Sequence, residues 1–437
     1  MSIPQKIIYK LNILLTTCLI KLSVILNSPK LTAIFFYRAI KKVDTHLAHA
    51  KYKVLCLRRN IFMEDVKALA TFGKQTHYYI IGRRHFQIIF NHFVSQADRH
   101  KLEEANYHTQ PIGESGKKKY NLYLQAMLPQ LRKLAKFDAL LTCNTGYIEQ
   151  QELFKVAVQQ KIPFIVLHKE GLGAYGDFSS DIVPHKAFQF LGNKILFYNQ
   201  RIKAAFLKLT KTNFTPDKME VVGIPRFDFY LNRKGQSIKD KQVIFFSFFP
   251  ADNFIDLIKD PQELASAKAK YDFYHKAIMD FAVKHPDFQV ILKTKGAPQF
   301  LAYAQNIFDQ NFKQPVPNLI ITNAGKSSEL IQESAVVIGF NSTTLLEAVA
   351  ASKTVISPYF RDFAKDKVWD LFEGYGQLVN YAHNEQDFAK YILNYKDCAN
   401  NIPELRDKYL EQFMFTPDGH ASLRTENAII KVIQNIN

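Results

Sequence analysis

Asn341, Ser342, Thr343 and Thr344 interrupt the stretch "VVIGFNSTTLLEAVAASKTVISPYF" (336–360), between an apolar run and a helix-like segment. A strand, a turn of small polar residues and a helix, in that order, set unpaired backbone N–H groups beside side-chain hydroxyls. That arrangement suits a phosphate. The same residues also read without a ligand, because Thr344-x-x-Glu347 has capping-box spacing and a Ser or Thr at a helix start satisfies the helix itself. Both readings stand at this level. Glu347, one turn in, is either a capping acid or a partner for a ribose hydroxyl.

Three other stretches carry candidate chemistry. In "VLHKEGLGAYGDFSSD" (166–181), His168, Lys169 and Glu170 close an apolar run and glycines follow. A carboxylate at the carboxyl end of a strand can take a proton from an attacking hydroxyl. Glu170 and Asp177 are therefore candidate bases, and His168 a candidate donor to a developing oxyanion. The structural alternative is a tight glycine turn with His168 bound to backbone. In "VVGIPRFDFY" (221–230), Gly223 and Pro225 stiffen the exit from a strand. Arg226 there offers a planar fork matched to phosphate oxygens, or else pairs with Asp228 in a plain hinge turn. In "LKTKGAP" (292–298), Lys293 and Lys295 either face solvent or neutralise a diphosphate. "CNTGYIEQ" (143–150) repeats the strand–turn–helix design and is a candidate acceptor-side segment.

Such residues need elements to hold them. From residue 51 onward, short apolar runs alternate with helix-length segments: "KVLCL" (53–57), "HYYIIG" (77–82), "DALLTC" (138–143), "PFIVLH" (163–168), "KILFYN" (194–199) and "MEVVG" (219–223). The alternation restarts after a polar stretch with "VIFFSFF" (243–249), "QVILKTK" (289–295), "NLIIT" (318–322), "AVVIGF" (335–340) and "KTVISP" (353–358). Continuous Val/Ile/Leu/Phe runs predict strands buried on both faces, as in a parallel sheet covered by helices. Pro129 predicts a kink or restart in "KKYNLYLQAMLPQLRKLAKF", and residues 384–435 read as wholly helical. The economical architecture is α/β, with two doubly wound Rossmann-like domains. Its expected parts are a basic apolar segment (1–50), an N-terminal domain (51–230), a linker (231–242), a C-terminal domain (243–415) and a last helix (416–437).

Composition supports that scale. The chain has 437 residues, 47% hydrophobic, which excludes general disorder. Cys18, Cys56, Cys143 and Cys398 stand far apart with no CxxC, against a zinc ribbon or disulfide scaffold and in keeping with a reducing compartment. The formal charge is +17, and the first sixty residues hold eleven Lys or Arg against the single acid Asp44. Anionic partners follow from this: membrane lipid, nucleic acid or a phosphorylated donor. The apolar run of "KLNILLTTCLIKLSVILNSPKLTAIFFYRAIKK" is broken by Lys21 and Asn27, short of the roughly 20 clean residues of a spanning helix. It reads either as a segment lying in the membrane interface or as a basic helix packed on the protein's own core.

"HKEG", "VVGIPRFD" and "GFNSTTLLEAVAASKTVISPYF", in that order, resemble the bacterial surface-carbohydrate and capsule-polysaccharide biosynthesis proteins of GT-B glycosyltransferase architecture. The resemblance covers roughly residues 130–425. "GIPRFD" is also similar to the "G-x-P-R-x-D" of polyol-phosphate polymerases. The resemblance implies two Rossmann-like domains facing a cleft. Its C-terminal domain would hold the nucleotide donor, with Ser342, Thr343, Thr344 and the adjoining Asn341 on phosphate and Glu347 on ribose. Arg226 would face the donor at the hinge, and Glu170 would supply the base from the acceptor domain. The last helix would cross back to the N-terminal domain. Related sialyl- and Kdo-type enzymes carry a His-Pro pair where this chain reads Lys-Thr-Lys-Gly-Ala-Pro, which weakens the case for a CMP-linked acidic sugar. No DxD motif stands at the expected place, so transfer without a metal or other cofactor is expected.

The function expected is transfer of a sugar from a nucleotide-activated donor to a surface polysaccharide or lipid-linked glycan, at the cytoplasmic face of the membrane. Polyol-phosphate transfer from a CDP donor and nucleotide-sugar epimerisation are the alternatives within the fold. Nucleic-acid binding is the alternative of another class. The charge would allow it, but no groove-reading or base-stacking module appears in the sequence.

Overall fold

The computed structural model describes residues 3–59, 62–170, 188–209, 212–232, 238–249, 258–363, 370–398 and 402–436, with backbone alone for 3–11. Contacts divide the chain into two compact units, Met1–Asp228 with Gln412–Asn437, and Phe229–Glu411.

The first unit is built on a seven-stranded sheet: β1 (Lys41–Lys42), β2 (Tyr52–Arg58), β3 (Thr76–Gly82), β4 (Ala139–Thr142), β5 (Phe164–His168), β6 (Lys194–Phe197) and β7 (Met219–Val221), in the order β1-β3-β2-β4-β5-β6-β7. Only β1 runs antiparallel, pairing Lys41 with Ile80 and Lys42 with Tyr79. Every residue of β4 and β5 is buried, as covering a parallel sheet on both faces requires. The helices are α1 (Ile3–Ile25), α2 (Pro29–Ala39), α3 (Met63–Phe72), α4 (Arg83–Phe93), α5 (Gln96–Arg99), α6 (Glu114–Ala135), α7 (Gln151–Gln159) and α8 (Gln200–Leu207).

The N-terminal region is partly core. Ile20 and Val24 of α1 and Ala33 and Phe36 of α2 are buried in the first unit. Ser23 and Thr32 hydroxyls meet at 2.7 Å, and Thr32 in turn meets Tyr123 of α6 at 2.5 Å. Leu14, Leu15, Leu22, Ile25 and Leu26 remain exposed on the same hairpin. Strand β1 escapes a sequence reading because two exposed lysines carry no apolar pattern.

Pro129 does not divide α6, contrary to expectation. Proline removes the N–H that would have bonded the carbonyl four residues back. That carbonyl, of Gln125, accepts instead from Gln160 Nε2 at 2.9 Å. A side chain from outside the helix thus satisfies the orphaned acceptor.

The second unit carries β8 (Gln242–Phe246), β9 (Gln289–Lys293), β10 (Leu319–Thr322), β11 (Val336–Ile338), β12 (Thr354–Pro358) and β13 (Asn380–Ala382). Their order is β10-β9-β8-β11-β12-β13, parallel throughout. This is the strand order of a doubly wound nucleotide-binding sheet. Following the four-residue α9 (Asp228–Leu231), its helices are α10 (Pro261–Lys284), α11 (Pro298–Asn311), α12 (Ser327–Glu333), α13 (Thr343–Ala350), α14 (Glu385–Leu393) and α15 (Pro403–Met414). A last helix, α16 (Ala421–Ile436), belongs to the first unit. The tail is therefore not one helical tract. Phe415 (φ 72°) and Gly419 (φ 73°) take left-handed backbone in "FTPDG" and end α15.

Both sheets reverse their direction of growth at one place, between β2 and β4 in the first unit and between β8 and β11 in the second. Ligands of open parallel sheets bind beyond the carboxyl ends of the strands flanking such a switch.

Candidate functional site

At the first unit's switch point, Arg59 follows β2, Asn144, Gly146 and Tyr147 follow β4, and Lys169 and Glu170 follow β5. Glu170 accepts from Asn144 Nδ2 at 3.2 Å and pairs with Lys169 Nζ at 3.1 Å and Arg59 Nη1 at 3.5 Å. Arg59 Nη1 also donates to the Tyr147 hydroxyl at 2.6 Å. Arg83, at the start of α4, donates through Nε to the buried Glu149 at 2.5 Å and lies 3.9 Å above the Tyr147 ring.

A second carboxylate reaches this point from the loop after α5. Glu104 occupies the space above Gly146, and a Cβ on that glycine would stand 1.1 Å from Glu104 Oε2. Burial first, then the charge of Glu170, pushes the Glu104 carboxyl up to about 7. The site thus combines a carboxyl poised near neutrality with one whose charge is met by a lysine and an arginine. Two acids in unequal surroundings are what proton transfer at neutral pH needs.

The other candidates of this unit lie elsewhere. His168 is 2% exposed and packs against Phe197 and Phe206, with ring centroids 5.6 and 5.0 Å away. Asp177 lies outside the described residues. Arg226 does not pair with Asp228. Its guanidinium and backbone N–H reach the fully buried Asp65 of α3, at 3.4 and 3.2 Å, and Asp65 also accepts from the Tyr198 hydroxyl at 2.7 Å. A buried carboxylate needs such a counter-charge. Asp228 instead accepts from the backbone of Ala421 and Ser422, at 3.1 and 2.7 Å, at the start of α16.

In the second unit the turn after β11 has the expected strand–turn–helix form. Asn341 takes φ 42°, which asparagine tolerates better than most side chains. Its Oδ1 accepts from Leu371 N at 3.4 Å. The N-cap of α13 is Ser342 rather than Thr344: its Oγ accepts from Thr344 N at 3.3 Å and lies 2.9 Å from Thr344 Oγ1. Thr343 is exposed at the first helical position, and no acid stands in the first turn. Glu347 is buried and accepts from the Tyr230 hydroxyl at 2.7 Å, so the capping box is not formed.

Beyond β9, Lys293 turns inward and donates to the carbonyls of Thr294 and Asn323, at 2.8 and 3.0 Å. Burial lowers its pKa. Lys295 is exposed and lies 5.4 Å from the Phe300 ring centroid. Beyond β8, Ser247 Oγ meets His275 Nε2 at 2.8 Å. His275 Nδ1 lies 2.8 Å from the Tyr271 carbonyl, which can only accept. The proton is therefore on Nδ1, and Ser247 donates to Nε2, leaving its oxygen able to accept from a ligand. Burial pushes His275 down to about 4, so it is neutral.

Arg59, Arg83, Glu104 and Ser247 were not among the sequence candidates. The arginines had a signal, since basic pairs close "KVLCLRR" and follow "HYYIIG". Ser247 is the lone polar residue of "VIFFSFF". Glu104 had none, because its place depends on a loop folding over Gly146.

Among the described residues no group of three or more His, Cys, Asp or Glu side chains is arranged to hold a metal ion. No protein-family model matches the chain, and no curated protein matches it. Solved structures similar to it include a UDP-GlcNAc 2-epimerase from Methanocaldococcus jannaschii, 12% identical over 88% of this chain and 99% of that one, TM-score 0.48. Another is a UDP-GlcNAc 2-epimerase from Neisseria meningitidis bound to UDP-GlcNAc, at 13% identity, with coverage of 88% and 100% and TM-score 0.45. The wall teichoic acid polymerase TagF is similar at 11% identity, with coverage of 97% and 98% and TM-score 0.49. The fold assignment rests on strand order and the parallel ladders.

Proposed function

We propose that the chain is a glycosyltransferase, moving a sugar from a nucleotide-activated donor to a cell-surface polysaccharide or lipid-linked glycan. The observation that carries this is Glu104, held near neutrality beside Glu170 at a switch point. Glu104 takes the proton of the acceptor hydroxyl as its oxygen attacks the anomeric carbon. The bond from that carbon to the diphosphate breaks, and the leaving group keeps the electron pair. Glu170 and Asn144 hold the acceptor sugar by its hydroxyls. In the second unit, the backbone N–H groups opening α13, with Ser342, Thr343 and Ser247, bind the departing phosphates, and Lys295 adds charge. The course is metal-independent, with transition-state charge met by these groups. The protein works as a peripheral protein on the inner face of the cell membrane, with anionic lipid rather than nucleic acid as its neighbour.

Epimerisation of a nucleotide sugar is the second reading, because a near-neutral carboxyl beside a charged one also suits removal and return of a proton at carbon. Polyol-phosphate transfer from a CDP donor uses the same phosphate grip. A thermal-shift panel of UDP, GDP, CMP and CDP derivatives, repeated on Ser342→Ala/Thr343→Ala, tests the donor site. One nucleotide class should raise Tm in the wild type and fail to do so in the variant. Equal stabilisation of both proteins would remove the phosphate role of this turn. Product analysis with the stabilising compound then separates sugar transfer, polyol-phosphate transfer and epimerisation.

A further inference from the structure

A cavity of about 670 Å³ opens beneath the N-terminal helices, between α1, β1, the carboxyl ends of β2 and β3, and the start of α4. Five cationic side chains line it: Arg38, Lys41, Arg58, Arg83 and Arg84. Among the described residues no carboxylate does. Arg83 is ion-paired, to Glu149, whereas among the described residues no carboxylate lies within ion-pair distance of Arg38, Arg58 or Arg84. Like charge gathered around one recess raises the local potential and attracts an anion.

Two further features point to an anion. The N-terminus of the 11-residue α4 faces this cavity, and its N-cap, Gly82, supplies no capping side chain. His85, 7% exposed, lines the same wall, with its Nδ1 sealed beside Gly82 and making no hydrogen bond of good geometry. The remaining wall is mainly apolar, with Asn12 and Thr16 as its polar members. Ile13, Leu15 and Leu19 of α1 line the cavity, while Leu14, Leu22, Ile25 and Leu26 of the same hairpin are exposed outside it. An inorganic phosphate would satisfy the arginines but leave the helix wall and most of the volume unfilled.

We infer that this cavity holds the phosphate head of a membrane lipid, with the lipid chain running along α1 while the outer leucines of the hairpin sit in the bilayer interface. The three arginines without a carboxylate partner among the described residues, Arg38, Arg58 and Arg84, favour a head with more than one negative charge, a phosphomonoester or diphosphate, over the single charge of a phosphodiester. No described helix is long and apolar enough to cross a membrane, so the hairpin lies on the bilayer surface. Arg83 also lines the recess that contains Gly146, Tyr147 and Glu149, so one side chain borders both spaces. This deepens the transferase reading by giving the acceptor its chemistry, a sugar or sugar-accepting group carried on a lipid phosphate.

The test is a vesicle-binding measurement on the full chain without nucleotide. It compares phosphatidylcholine vesicles containing a lipid phosphomonoester, phosphatidylcholine vesicles containing phosphatidylglycerol at matched surface charge, and inorganic phosphate as competitor. Wild type should bind the phosphomonoester vesicles about tenfold or more tightly than the charge-matched ones. Arg38→Gln/Arg84→Gln, both exposed positions, should abolish that preference with Tm unchanged. Leu14→Gln/Leu22→Gln should weaken binding to both vesicle types. Equal binding to charge-matched vesicles, an unchanged preference in the arginine variant, or full displacement by millimolar phosphate would each overturn the inference. If it fails while nucleotide stabilisation persists, the transferase reading survives without a lipid acceptor.

Discussion

Glu104 and Gly146 share one space: the carboxylate oxygen lies 1.1 Å from where a Cβ on residue 146 would stand. A side chain at 146 and the observed position of Glu104 are therefore mutually exclusive. The atoms a Cβ would displace are the carboxyl end of the Glu104 side chain, not backbone. Gly146→Ala should leave Tm within about 2 °C of wild type while lowering kcat at least tenfold. A large loss of Tm would show that the glycine serves the fold rather than the carboxylate.

The raised Glu104 pKa makes a stability statement as well. In the folded protein the group binds its proton up to about pH 7, whereas its ordinary value is 4.5. Between those values the folded state holds more protons than the unfolded one, so stability falls as pH rises. Solvent screening of this half-buried group holds the loss to about 1–2 kcal/mol. Urea denaturation at pH 5 and pH 7.5 should show that loss, reduced in Glu104→Gln.

Tyr230 donates to the buried Glu347. Tyr230→Phe keeps the ring and removes this one hydrogen bond to the buried carboxylate, at a cost of about 1–3 kcal/mol. Pairing it with Glu347→Gln should change the cost of losing the hydroxyl, because the group that accepts its hydrogen bond is altered. Denaturant midpoints of the two single variants and the double variant give the coupling. Strict additivity would show that the bond contributes nothing.

Gln160 and Pro129 form a similar pair across α6 and α7. Gln160→Ala should destabilise by about 1 kcal/mol by removing the donor to the Gln125 carbonyl. In a Pro129→Ala background the backbone N–H returns, and the Gln160 side chain should matter much less. Equal effects in both backgrounds would refute the compensation.

The strands were legible because parallel strands buried on both faces must be continuous apolar runs, and "PFIVLH" and "AVVIGF" are such runs. The edge strands β1 and β13 were not, since an edge needs less burial and "KK" and "NYA" carry no pattern. The turn at 341–344 could be placed from its neighbours, but the capping-box spacing pointed to Thr344, half a turn from the cap that forms, Ser342. Of the two readings of Arg226, the pairing with Asp228 does not occur, and its contact with Asp65 was not foreseen because that residue lies 161 residues away in sequence. Glu104 was invisible for the same reason: its pKa comes from burial and from Glu170, neither of which is local in the chain.

The pH dependence of nucleotide release, measured with the donor that stabilises the protein, tests Glu104 as the base most directly. Wild type should show kcat/KM rising with pH through an ionisation near 7. Glu104→Gln should lose that limb and at least a hundredfold in kcat, with KM for the donor nearly unchanged. A Glu104→Gln enzyme with the wild-type rate and pH profile would contradict the account.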